Sequence, residues 1–146
     1  MPGCRLKERA GSNDLCTSIW DSAAIIYIVE QVKPYSEALD ERLSADDVVT
    51  VTSDLARLEC RVKPLREQNT AVLEDFDDYF EGAVQRIIPL SREVVDLATG
   101  FRAEYGFKTP DSLHLAAAVC SQCEAFLTND HRLDRFRELQ VEVVNR

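Results

Sequence analysis

Four acidic residues carry the chemistry that this chain can offer: Asp21 in IWDSA, Glu59 in LARLECRV, Asp111 in TPDSLH and Asp130 in FLTND. Carboxylates gathered in one place repel one another and raise their own pKa values. A divalent cation removes that penalty, and an oxygen-only donor set favours Mg²⁺ or Mn²⁺ over zinc. Such an ion polarises a phosphoryl oxygen and lowers the pKa of a water, which suits phosphodiester hydrolysis. Each acid also has a structural reading. Asp111 follows Thr109 as an N-cap and Pro110 at the first helical position, where the helix dipole favours negative charge. Asn129-Asp130 can be a turn and a cap, and Asp21 with Ser22 can cap a helix starting at Ala23. Glu59 can reach solvent, or pair with Arg57 or Lys63. One metal site requires that the four converge.

The elements that must bring them together alternate between strand and helix. Ser18–Asp21, Val48–Thr52, Ile87–Leu90, Ala125–Thr128 and Val141–Val144 read as strands, of which Val48–Thr52 is β-branched throughout. Helices are expected over Ala23–Gln31, Ser36–Leu43, Asp54–Gln68 with Ser53 as N-cap, Thr70–Val84, and from a Ser91 cap to Tyr105 with Gly106 beyond its end. Two more are expected over Asp111–Cys123 and His131–Glu138. Within the helix after Ser53, Leu55, Leu58, Val62 and Leu65 form one apolar stripe, expected to pack on the sheet with Glu59 at its border. Strands separated by helices imply a parallel sheet covered on both faces. Ligands of such sheets bind beyond the carboxyl ends of the strands. Asp21 closes the first strand, Asp130 follows the fourth, and Asp111 opens the helix before the fourth.

A chain of 146 residues suits a single domain. Residues 1–17 mix charges with Gly, Ser and Asn and are expected to form a loosely ordered extension, leaving 18–146 as the domain. No apolar run approaches the length of a membrane span, and residues 1–17 lack the apolar core of a secretory signal. A cytoplasmic protein with reduced thiols is therefore expected. Cys120 and Cys123 form a CxxC, but no second ligand pair at suitable spacing supports zinc, and packing cysteines are the simpler reading. The net charge of −9 argues against binding nucleic acid through a basic surface, but does not exclude an enzyme that acts on it through a cation.

The order of IWDSAAIIYIVE, VVTVTSDLARLECRVKPL, IIPLSREVVDLATGFRAEYGFKTPDSLHLAAAV and FLTNDHRL resembles the PIN domain, and most closely the toxin nucleases of the VapBC toxin–antitoxin type. The resemblance covers residues 19–133, and the order of the motifs is more specific than any one of them. It implies a three-layer α/β/α sandwich around a mainly parallel sheet of four to five strands. It implies a Mg²⁺- or Mn²⁺-dependent endoribonuclease acting by metal-activated water, an antitoxin that blocks the site, and a homodimer. The family's acids fall on Asp21, Glu59, Asp111 and Asp130, all as metal ligands, with Glu59 on a second ion or orienting the water. Ser22 and Asn129 would support them. Arg61, Lys108 and Arg132 are candidate RNA contacts. The residue after Ser22 is Ala23, where many relatives have Asn or Ser.

His114 stands one turn past Asp111 and reads first as a packing or capping histidine, with a hydrogen bond to a site carboxylate as its second reading. A haloacid dehalogenase-type phosphatase would need an Asp two residues after Asp21, where Ala23 stands. A receiver domain would want an acid pair on the first strand and a Lys after a late one. The remaining alternative is a non-catalytic RNA- or protein-binding module that keeps the PIN fold.

Overall fold

Alternate residues of the inner strands are buried on opposite faces of one sheet. Ile19, Val51 and Phe126 join one apolar cluster, while Trp20, Ala125 and Leu127 join the other. A strand covered on both faces has no solvent side, so even Thr50 and Thr52, which alternate with Val49 and Val51, are buried. The computed structural model describes residues 16–43 and 48–144.

In chain order the elements are β1 (Cys16–Trp20), α1 (Ser22–Val29), α2 (Tyr35–Leu43), β2 (Val48–Ser53), α3 (Asp54–Arg66) and α4 (Thr70–Gly82). They continue with β3 (Arg86–Ile88), α5 (Arg92–Tyr105), α6 (Thr109–Cys120), β4 (Ala125–Thr128), a 3-10 helix (His131–Arg135) and β5 (Gln140–Val143). All four strand pairings are parallel, in the order β3-β2-β1-β4-β5. One buried cluster lies between the sheet and α5–α6, the other between the sheet and α1–α4, giving the expected α/β/α sandwich. The chain leaves β1 toward β2 and β3, then returns to place β4 on the other side of β1. The order therefore reverses between β1 and β4, where open parallel sheets form their crevice.

Local chemistry sets the helix ends that matter. Ser53 and Ser91 accept the N–H of Ala56 and Val94 as N-caps, and Gly106 ends α5 at φ 72°, a left-handed position that glycine takes without steric cost. Ser121 ends α6 by donating to the carbonyls of Ala117 and Ala118, three residues earlier than the Cys123 expected from sequence. The last helix is shorter than expected and has 3-10 geometry, with Leu133 and Phe136 donating three residues back.

The structure corrects the expectations for α3 and for the thiols. The stripe Leu58, Val62 and Leu65 faces solvent, with 57%, 41% and 65% exposure, and α3 buries Ala56, Cys60 and Pro64 instead. The thiols differ among themselves. Cys60 and Cys123 are buried and outside any disulfide, whereas Cys120 is disulfide-bonded, so the CxxC does not close on itself. The expected extension lies outside the described residues up to 15, and residues 16 and 17 belong to β1.

Candidate active site

Asp21 is the N-cap of α1. Its backbone N–H bonds the carbonyl of Leu127 at 3.1 Å, which ties the end of β1 to the end of β4. Its Oδ1 accepts from Ala24 N at 3.0 Å, and the buried Thr128 hydroxyl donates to the same carboxylate. Thr128 Oγ1 also accepts from Asp130 N at 3.1 Å, so one hydroxyl links two of the four acids. Sequence inspection did not single out Thr128; its place in FLTND was the only signal. Asn129, one residue on, donates to the Tyr27 hydroxyl at 2.6 Å rather than to an aspartate.

Asp130 caps the 3-10 helix by accepting from Arg132 N at 2.9 Å, and the Arg132 guanidinium grips both of its oxygens at 2.6–3.2 Å. Asp111 stands in the first turn of α6. Lys108, not Thr109, is the N-cap there, and it makes no side-chain cap hydrogen bond. Thr109 instead accepts from Arg102, and Pro110 falls within the first turn, where its missing N–H costs nothing. The carboxyl of Asp111 is thus not spent on a cap.

Glu59 comes from α3, in the opposite helical layer from α6. Ser22 Oγ donates to its Oε1 at 2.7 Å, and His114 Nε2 lies 2.7 Å from the same oxygen. Both expectations for His114 hold together: it is buried and it bonds a carboxylate. Lys108 and Arg132 lie close enough to Asp111 and Asp130 to stabilise their charges. Arg61 is occupied elsewhere, bonding Asp77 of α4 at 2.8 Å.

The electrostatics follow this layout. Burial pushes the Asp21 carboxyl up from its ordinary value, and Asp111 adds repulsion against the relief from Thr128, Ala24 and His114. Burial likewise raises Asp111, with the Asp130 charge next in size. The Arg132 bond holds Asp130 low, and the His114 bond holds Glu59 low. Asp21, Asp111 and Asp130 therefore form one electrically linked row, with Glu59 joined to it through His114. Among the described residues, no three His, Cys, Asp or Glu side chains already surround a common point as metal ligands would. The partners explain this: Asp130 is turned to Arg132, and Glu59 to Ser22 and His114. The donor set is nonetheless of oxygen type, and Asp21 and Asp111 are held above their ordinary value by burial despite their neighbours, a penalty that a divalent cation such as Mg²⁺ or Mn²⁺ would offset.

An Arg132→Ala variant tests this layout without any metal. The Asp130 carboxyl is expected to titrate at higher pH than in the wild type, and Asp111 to shift up with it. Carboxyl ¹³C NMR titration reads both; an unmoved Asp130 would show that the guanidinium is not its counter-charge.

A family model described as PIN domain matches residues 19–139. No curated protein matches the chain in sequence. Among solved structures, the chain is similar to VapBC2 from Rickettsia felis bound to a DNA fragment from their promoter, at TM-score 0.72 and 16% identity, covering 88% of this chain and 99% of that one. It is similar to DNA-bound VapBC from Salmonella typhimurium, at TM-score 0.68 and 17% identity, covering 90% and 100%. It is also similar to VapBC-5 from Mycobacterium tuberculosis, at TM-score 0.59 and 18% identity, covering 88% and 99%. At these identities the likeness is one of fold.

Proposed function

Since this chain belongs to the PIN domain family, whose members are nucleases, we propose that it is a Mg²⁺- or Mn²⁺-dependent endoribonuclease and the toxin of a toxin–antitoxin pair. The observation that carries the reading is the row of carboxylates at the β1/β4 switch point, drawn from both helical layers. Asp21, Asp111 and Asp130 would hold the cation, and Glu59 a second cation or the attacking water. When bound, the ion would polarise the phosphate and lower the pKa of a water. The chain's own residues do the rest. Thr128 and Ala24 N–H fix the Asp21 carboxylate. Ser22 fixes Glu59. Arg132 would exchange Asp130 for a substrate phosphate, a planar fork suited to either anion. Lys108 is placed to take part in the same contact, and Arg61 would have to leave Asp77 to do so. Asn129 supports the loop that carries Asp130 through its bond to Tyr27.

Two partners are part of the proposal. A cavity of about 230 Å³ opens beside Glu59 between α1, α3 and α4, with Ile26, Val72 and Phe76 on its walls and Glu30 and Glu67 among its lining residues. It would take an apolar, basic segment of an antitoxin and so close the site. The exposed stripe Leu58, Val62 and Leu65 would be covered by a second copy of the chain, giving a homodimer. Among the described residues no helix is long and apolar enough to cross a membrane, and the protein is proposed to act in the cytoplasm.

The rival reading, a non-catalytic RNA- or protein-binding module, draws support from the Arg132 grip on Asp130. Both readings meet in one assay. Purified protein with Mn²⁺ and a mixed RNA pool should cleave, cleavage should stop with EDTA, and Asp111→Asn should be inactive. Equal cleavage by wild type and Asp111→Asn would assign the activity to a contaminant.

A further inference from the structure

His114 is held more tightly than packing alone requires. It is 4% exposed, its ring stands 6.4 Å from that of Phe126, and both ring nitrogens have polar neighbours. Nδ1 lies 3.4 Å from Ser53 Oγ, and Nε2 lies 2.7 Å from Glu59 Oε1. Ser53 is at once the last residue of β2 and the cap of α3, accepting from Ala56 N at 3.3 Å. The helix that carries Glu59 and the Glu59 side chain itself are thus tied to the same imidazole of α6. A buried ring bonded at both ends cannot turn without leaving a polar group unsatisfied.

Both donors reach the same oxygen of Glu59. Ser22 Oγ and His114 Nε2 are each 2.7 Å from Oε1, and neither of these bonds uses Oε2. A long side chain on the edge of α3, one-third exposed, is therefore reduced to one orientation with one oxygen left over. We propose that His114 is a positioning residue: by fixing Oε1 of Glu59 it reserves Oε2 for a divalent cation or its water. The proposal rests on the metal-dependent reading of the site. It concerns the shell behind the acids, where such partners govern metal affinity by about 10- to 100-fold.

Two amide variants separate positioning from packing. His114→Gln carries its N–H group toward the place of Nε2 and can still bond Glu59. His114→Asn carries its own toward the place of Nδ1 and falls short. Both are polar, and both disturb the buried site. Mn²⁺ binding to the full chain, without RNA, is measured by calorimetry beside steady-state cleavage and thermal melting. His114→Asn is expected to bind Mn²⁺ about tenfold more weakly than wild type and to lose kcat with KM for RNA unchanged, with His114→Gln close to wild type. Equal losses in the two variants, or none in either, overturn the proposal. If Asn at 114 prevents folding, Ser53→Ala frees the ring at Nδ1 with His114 in place. A smaller loss of Mn²⁺ affinity is then expected, and wild-type affinity overturns the proposal. Wild type that binds Mn²⁺ but cleaves no RNA refutes the ribonuclease reading alone, and the binding comparison still decides the role of His114. Wild type that binds no Mn²⁺ refutes both.

Discussion

Substituting Asn for Asp21 is expected to lower RNA cleavage by at least about 10²-fold, the order of effect seen when a preorganised electrostatic group is removed from a reacting centre. Asn is nearly the same size as Asp and is an equally good N-cap, so its side-chain oxygen can still accept from Ala24 N. The fold is retained and the charge is lost. A multiple-turnover assay on RNA with Mn²⁺ measures the result, and cleavage within a factor of three of wild type would remove Asp21 from the mechanism.

The same variant should melt at a higher temperature than wild type when metal is absent. In the folded chain burial raises the Asp21 pKa above the ordinary 3.8, whereas the unfolded chain ionises near that value. At neutral pH the unfolded state therefore holds its charge more easily, and the ionised carboxylate costs the fold stability. That cost disappears as pH falls through the raised folded pKa. Wild type should gain stability as pH falls through the raised Asp21 value, and Asp21→Asn should gain less. Asp111 has the same sign. Asp130 has the opposite sign, because its lowered pKa contributes stability above 3.8 that is lost as pH falls through the lower folded value. Its ion pair with Arg132 is largely exposed, so that contribution is small. Mn²⁺ should reverse the order of melting temperatures, because a ligand that binds only the folded state stabilises it by mass action. Melts in EDTA from neutrality down to about pH 3, and in Mn²⁺ at neutral pH, check the acid dependence and the reversal; a metal-free Asp21→Asn that melts below wild type at neutral pH contradicts the argument.

Caps were legible in the sequence because they act over three or four residues. Ser53, Ser91 and Gly106 are where their neighbours indicated, and Asp21 and Asp130 are caps as well as members of the carboxylate row. The two readings of those acids do not compete: an aspartate at the start of a helix that follows a strand is already at the carboxyl edge of the sheet. The bond from His114 to Ser53 spans 61 residues, and no local pattern announces it. Helix α3 departs from its hydrophobic pattern for a different reason. Period and hydrophobicity mark Leu55, Leu58, Val62 and Leu65 as the inner face, but α3 is wedged against α1, α4, α6 and β2. Close approach on several sides favours small side chains, so Ala56 and Cys60 go inward and Leu58, Val62 and Leu65 turn out. The half-buried Glu59 lies between these faces.

That outward face supplies the second large effect. Leu58→Glu combined with Leu65→Glu is expected to turn the proposed homodimer into a monomer. Leu58, Val62 and Leu65 recur at the spacing of a helix seam, and a two-fold axis brings such a seam against its own copy with every residue used twice. Burying one Leu side chain is worth about 1.5–3 kcal/mol, and the leucines are already partly covered in the single chain. Even half of that value for four leucines per dimer amounts to about 3–6 kcal/mol, or a dimer dissociation constant raised by at least about 10²-fold. Introducing four carboxylates into the seam adds repulsion to the loss. Sedimentation velocity across a hundredfold range of concentration separates the outcomes. Because these side chains are exposed in the single chain, the monomeric variant should keep its secondary structure, and a variant that unfolds would mean that the stripe also supports α3 from within. Wild type that sediments as a monomer throughout would show that the stripe is not a self-association face, leaving the carboxylate row unaffected.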